Sequence, residues 1–106
     1  ALKQSGLIAS QIEYINAHAT STPIGDANEA QAIHSIFGSK VPVSSTKSMT
    51  GHEMWMGGAS EIIYSLLMMQ NNFIAPNINF ENPDEHTALI NIINQTKKLG
   101  FNSFLS

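Results

Sequence analysis

Twice in this chain a strand-like apolar run breaks into a polar turn that carries a histidine and then into a run with helical spacing. The first reads Ile12-Glu13-Tyr14-Ile15-Asn16-Ala17-His18-Ala19-Thr20-Ser21-Thr22-Pro23, the second Val41-Pro42-Val43-Ser44-Ser45-Thr46-Lys47-Ser48-Met49-Thr50-Gly51-His52. Strands that alternate with helices bury their apolar faces by laying the helices on a mostly parallel sheet, which points to the α/β class. In such a sheet the carboxyl ends of the strands face the crevice where ligands bind, so both histidine turns are expected at one site.

The rest of the chain fits that frame. Residues 1–11 read as a helix end and a loop, with Gly6 as its cap, and residues 12–18 as a buried strand. After Pro23, the apolar residues Ala30, Ile33, Ile36 and Phe37 recur at helical spacing as far as Gly38. Asp26 and Glu29 sit near the start of that helix, where acids complement its dipole. A second strand is expected from Val41 to about Thr46. Gly57-Gly58-Ala59 then opens a helix through Ile62, Ile63, Leu66, Leu67 and Met69 that is apolar nearly all round, and is therefore expected between two layers. Beyond it lie a loop with Pro76 and Pro83, a strand Leu89-Ile90-Asn91-Ile92-Ile93, a turn from Lys97 to Gly100 and a final strand-like run Phe101 to Ser106. That run stops without a turn, cap or polar tail, so the chain reads as cut.

Composition narrows the function. Of 106 residues, 42% are hydrophobic and 12% charged, which suits one packed domain. The formal charge of -3 is spread without a block of like sign, so neither nucleic acid nor an anionic membrane surface is an expected partner. No run reaches the about 18 apolar residues of a membrane span, and no secretory leader opens the chain; a soluble, cytoplasmic protein is expected. There is no cysteine, hence no thiolate nucleophile or thiolate metal site within these residues.

Two imidazoles, a lysine and several hydroxyls are the equipment of acyl chemistry. His18 after a strand can stabilise an oxyanion or take a proton near neutral pH, and it can equally just cap its turn. Thr20 and Thr22 alternate along an extended stretch, so their hydroxyls can line one groove or serve the turn alone. Lys47 stands five residues before His52, where its charge would disfavour a second positive charge on the ring. Glu61, near the start of the apolar helix, needs compensation if buried; Lys47 is one candidate and the helix dipole another. Two other chemistries fail on spacing. His52-Glu53 opens like a zinc-protease helix, but residue 56 is Met where a second histidine is required, and Gly51, Gly57 and Gly58 fit no phosphate loop. No metal site is expected, and His34 and His86 read as exposed helix and loop residues.

With these residues in view, the chain resembles the β-ketoacyl-acyl-carrier-protein synthases of fatty-acid synthesis, which have the thiolase-like fold. The likeness is carried by Asn16 to Pro23 with Asp26 and Glu29, by Ser45 to His52, and by Glu61 nine residues on. The segments Ile63-Tyr64-Ser65-Leu66-Leu67-Met68 and Phe73-Ile74-Ala75-Pro76-Asn77-Ile78-Asn79 agree as well. The resemblance implies the C-terminal half of a layered αβαβα fold, with a mostly parallel mixed sheet flanked by helices. Residues 1–106 would be a partial C-terminal domain, truncated before the last strands and before a glycine- and phenylalanine-rich gating loop.

It also implies a function: a 3-oxoacyl-[acyl-carrier-protein] synthase, an acyltransferase that joins an acyl thioester to malonyl-acyl-carrier protein by decarboxylative Claisen condensation. His18 and His52 would be the two active-site histidines, Lys47 the structural and electrostatic lysine, and Glu61 its partner. Thr20 and Thr22 would hold the pantetheine arm. Phosphopantetheine would arrive on the carrier protein, leaving no resident cofactor except a monovalent cation near Glu61 and the Asn16 carbonyl. The nucleophilic cysteine would lie in the absent half, so no turnover is expected of these residues alone, and the complete protein would be a homodimer. Two departures stand out. Ala19 replaces the glycine usual after the first histidine, and Glu53-Met54-Trp55-Met56 replaces a small Leu-Gly-Ala-Ala-like stretch, which bears on the acyl pocket. A non-catalytic chain-length factor or polyketide synthase subunit of the same fold, and a small interaction domain without chemistry, are the competing readings.

Overall fold

A computed structural model describes all residues 1–106. The elements run α1 (Leu2–Ser5), β1 (Tyr14–Asn16), α2 (Pro23–Phe37), β2 (Pro42–Ser44), α3 (Lys47–Thr50), α4 (Gly57–Gln70), β3 (Phe73–Ile74), β4 (Asn91–Ile92), β5 (Lys97–Lys98) and β6 (Phe104–Leu105). Four strands form one sheet in the order β4-β2-β1-β6, and every neighbouring pair is parallel. The fold is thus of the expected α/β class. No helix is long and apolar enough to cross a membrane.

Side-chain alternation along β1 explains how the layers form. Ile15 and Ala17 face the α2 side, where they pack with Ile12, Ile33, Val41 and Val43. Tyr14 faces the other side, in a cluster with Met68, Ile74, Ile93 and Phe101. A strand with apolar residues on both faces is stable only when covered on both, and α2 and α4 supply the two covers. Both histidine turns leave the same edge of the sheet, because β1 and β2 are parallel neighbours in register, Ile15 opposite Val43.

Two expectations are corrected. The expected strand from Leu89 to Ile93 is reduced to β4, because Thr87–Leu89 form a 3-10 turn. The Asp84 carboxylate starts that turn by accepting the His86 and Thr87 N–H groups at 3.0 and 2.7 Å. These bonds hold the Asp84 carboxyl below its ordinary range, Thr87 being the main cause. The expected turn at Lys97 to Gly100 contains β5 instead, which pairs antiparallel with β3, Lys97 opposite Ile74. Two exposed lysines carry no alternation signal, and the backbone of an edge pairs regardless of their side chains.

For α4, expected between two layers, these residues supply one of them. The helix packs on the sheet through Gly57, Ser60, Glu61, Ser65 and Met68, whereas Ile62, Ile63, Leu66 and Leu67 remain exposed. Ser65 and the Glu61 carbonyl meet the Asn16 amide beneath them, while Met68 joins the apolar cluster around Tyr14. His34 is exposed as expected, yet its Nδ1 donates to the Leu89 carbonyl at 3.0 Å. His86 is half-buried and accepts from Gln31 Nε2 at 3.2 Å, so both histidines tie α2 to the Thr87–Leu89 turn.

Candidate active site

His18 lies two residues beyond β1, in a turn held from outside by one carboxylate. Glu29, in the second turn of α2, accepts the His18 N–H at 2.7 Å and the Ala19 N–H at 2.8 Å. Its Oε1 and Oε2 each take one donor, a charge-assisted arrangement that fixes the backbone from which the imidazole projects. Asp26 serves the next stretch by accepting the Thr22 N–H at 3.3 Å. The two acids expected only to complement a helix dipole therefore build the loop as well. Ala19 sits at φ 32 and Ser21 at φ 62, left-handed backbone that costs a residue with a β-carbon about 1–2 kcal/mol.

On the neighbouring strand, α3 is a single turn that starts at Lys47 and stops at Gly51, whose φ of 76 lets the chain reverse without a β-carbon clash. His52 follows. The Met54 N–H donates to His52 Nδ1 at 2.9 Å, so the neutral ring carries its proton on Nε2 and offers that N–H as a donor. The His18 and His52 rings meet edge to face, with centroids 5.6 Å apart and planes at 89°. Two residues 34 positions apart in sequence thus share one place at the sheet edge.

Beneath them runs a buried polar network. Lys47 Nζ donates to Glu61 Oε1, and the two side chains are only 7% and 10% exposed. Ser106 Oγ donates to the second Glu61 oxygen at 3.3 Å. Of the two partners open to Glu61 in the sequence, the lysine is the one found. Its charge is therefore balanced by Glu61. Asn16, 2% exposed, joins three elements: its Nδ2 donates toward the Glu61 carbonyl, Ser65 Oγ and Thr46 Oγ1 at 3.2–3.3 Å, while its Oδ1 accepts the Thr46 N–H at 3.2 Å. Next to it the Tyr14 hydroxyl shares a hydrogen bond of 2.9 Å with Ser44 Oγ, and burial pushes its pKa up to about 12.

A cavity of about 440 Å³ opens beside this network, within the range of small-molecule sites. Lys47, His52, Thr20, Glu29 and Asn77 are among its lining residues. His18 touches His52 but is not part of that lining, and Thr22 stands at the exposed surface, its Oγ1 3.4 Å from Thr20 Oγ1. Glu61 lies behind Lys47. Sequence reasoning missed the structural work of Glu29 and Asn16, and also the pairing of Glu53 with Tyr64. A buried asparagine at the end of a strand, flanked by Ile15 and Ala17, is the signal that could have marked Asn16.

Residues 1–81 match the sequence profile of the beta-ketoacyl synthase, C-terminal domain. The chain belongs to the β-ketoacyl synthase family. It is 56% identical over 88 residues to 3-oxoacyl-[acyl-carrier-protein] synthase 1 of Haemophilus influenzae, an alignment covering 82% of this chain and 22% of that protein. Among solved structures, a beta-ketoacyl synthase from Burkholderia phymatum superposes with a TM-score of 0.91 at 37% identity, over 95% of this chain and 25% of that one. A type II polyketide ketosynthase, solved in complex with its acyl-carrier protein and bound to the hexaketide, gives a TM-score of 0.90 at 34% identity, over 98% and 26%. The fold is that of the thiolase-like ketosynthases, and the chain spans about a quarter of the relatives it matches. Within this ketosynthase frame, Ala19 holds a positive φ that a glycine would adopt without strain.

Proposed function

We propose that this ketosynthase chain supplies the decarboxylation half of a 3-oxoacyl-[acyl-carrier-protein] synthase in fatty-acid synthesis. The observation that supports it most is the meeting of the His18 and His52 rings with His52 Nδ1 already occupied. A malonyl thioester loses CO2 when the bond between its carboxylate carbon and its α-carbon breaks and the electron pair moves into an enolate. The thioester oxygen then bears the developing charge. A fixed imidazole N–H aimed at that oxygen stabilises it more in the transition state than in the ground state. The enolate carbon then attacks an acyl thioester on a cysteine, whose thiolate leaves as the new carbon–carbon bond forms.

That cysteine comes from polypeptide outside these 106 residues, so the chain by itself does not turn over. The complete protein works in the cytoplasm as a homodimer with acyl-carrier protein, which brings acyl and malonyl groups on phosphopantetheine. Thr20 and Thr22 bind that arm, and Lys47 with Glu61 supports the site from below. No resident cofactor is needed for these steps. A monovalent cation at Glu61 would compete for oxygens that Lys47 and Ser106 already use.

The reading is tested by giving the complete protein an acyl-primed carrier and malonyl-acyl-carrier protein and following CO2 release and the 3-oxoacyl product. Product is expected; neither CO2 nor product, with a folded enzyme, would refute the proposal. A second expectation concerns the pantetheine groove. A β-carbon at Gly25 would overlap Thr22 Oγ1 and drive that hydroxyl from its place beside Thr20. Gly25→Ala should therefore raise KM for the carrier-borne substrate a few-fold, by about the strength of one hydrogen bond, with kcat little changed.

A further inference from the structure

His52 is held by a turn whose sequence departs from the family. Met54–Met56 form a 3-10 turn, closed by the Met56 N–H on the Glu53 carbonyl at 3.1 Å. Met54 lies at φ 52, a strained conformation for a residue with a β-carbon, and such a residue persists only where its surroundings fix it. One fixing contact is the bond from its own N–H to His52 Nδ1. The other comes from α4, where the Tyr64 hydroxyl donates to Glu53 Oε1 at 3.0 Å. The turn itself packs on α4, yet Met54, Trp55 and Met56 are exposed and contribute little to holding it. Its attachment is polar and rests on Glu53. The small apolar stretch that the resemblance places here offers no carboxylate for this purpose.

We propose that Glu53 and Tyr64 form a positioning lock, particular to this chain, that keeps the Met54 N–H on His52 Nδ1 and so holds His52 in the Nε2–H tautomer. The step is conformational and breaks no covalent bond. It rests on the reading of His52 as a donor, and Tyr64 and Glu53 touch no reacting atom. Without the lock, the turn relaxes from the left-handed Met54, Nδ1 loses its partner, and the ring divides between two tautomers. Only one of these presents its N–H at Nε2.

The experiment compares the complete enzyme with its Tyr64→Phe and Glu53→Leu variants by 15N-detected imidazole spectra and by steady-state malonyl decarboxylation. In the parent, His52 is expected to show an unprotonated, hydrogen-bonded Nδ1 and a protonated Nε2. In both variants the two nitrogen signals should move toward each other, kcat should fall about tenfold, and KM should hold. Two variants guard against a folding defect in one, since each removes a different end of the hydrogen bond, Phe keeping the ring and Leu most of the bulk. A fixed tautomer in both variants would overturn the lock. Averaged signals with an unchanged kcat would support the lock and sink the donor role of His52, so the two readings fail separately.

Discussion

Truncation of His52 to alanine in the complete enzyme is expected to lower malonyl decarboxylation by a hundredfold or more. A single donor aimed at a developing oxyanion is worth about that much, because it replaces water with a dipole that needs no reorganisation. His52 has the features such a donor needs. Its Nδ1 is filled by the Met54 N–H, its other nitrogen is free to donate, and its ring is braced edge to face by His18. The loss should fall on kcat and kcat/KM alike, since the contact is made in the transition state and not in the ground state. His18→Ala should cost a comparable factor, and the double variant little more than either single one, because under the proposed function both rings serve one oxygen and groups that act as a unit are not additive. The assay is CO2 release from malonyl-acyl-carrier protein, with circular dichroism to show that each variant is folded. Turnover within threefold of the parent in both single variants would remove the imidazole pair from the mechanism.

The large elements were legible because local pattern and packing agree on them. Pro23 and Gly38 frame α2, and its Ile33 and Phe37 face the β1–β2 surface while Ile36 stays exposed. The convergence of His18 and His52 was legible for a topological reason: two strand-to-helix turns on adjacent parallel strands have only one edge to share. What periodicity could not show was pairing that ignores side chains. The Lys97–Lys98 strand is recruited through its backbone alone, and Thr87–Leu89 turns because Asp84 offers a local partner that competes with extended structure. The face of α4 that meets the sheet was not legible for a related reason. Its composition reports that several faces are apolar, while the face chosen for the sheet depends on Asn16, a residue 45 positions before Glu61 whose amide seeks the polar side of the helix. The meeting of His18 with His52 and the pairing of Lys47 with Glu61 were readable from the sequence, whereas His18 and Thr22 stand outside the cavity lining. The supports of the site were not readable, since Glu29 and Glu53 act through backbone groups and one tyrosine hydroxyl, contacts that leave no periodic trace.

Lys47→Met is expected to destabilise the fold by about 3–5 kcal/mol, the usual result of leaving a buried charge without its partner. Glu61 is 10% exposed, and its carboxylate would keep only the Ser106 hydroxyl after the ammonium is lost. In the complete enzyme the variant should unfold at a much lower urea concentration with an unchanged slope. Adding Glu61→Leu removes the stranded charge and lets apolar side chains fill the space, so the double variant should regain most of the lost midpoint. That recovery separates charge pairing from simple loss of packing. A double variant no more stable than Lys47→Met would mean that the lysine stem, or the Asn16 network beneath it, carries the stability instead. If the double variant recovers stability but not decarboxylation, the ion pair serves the site as well as the fold, through the one-turn helix that starts at Lys47 and delivers His52 to the sheet edge.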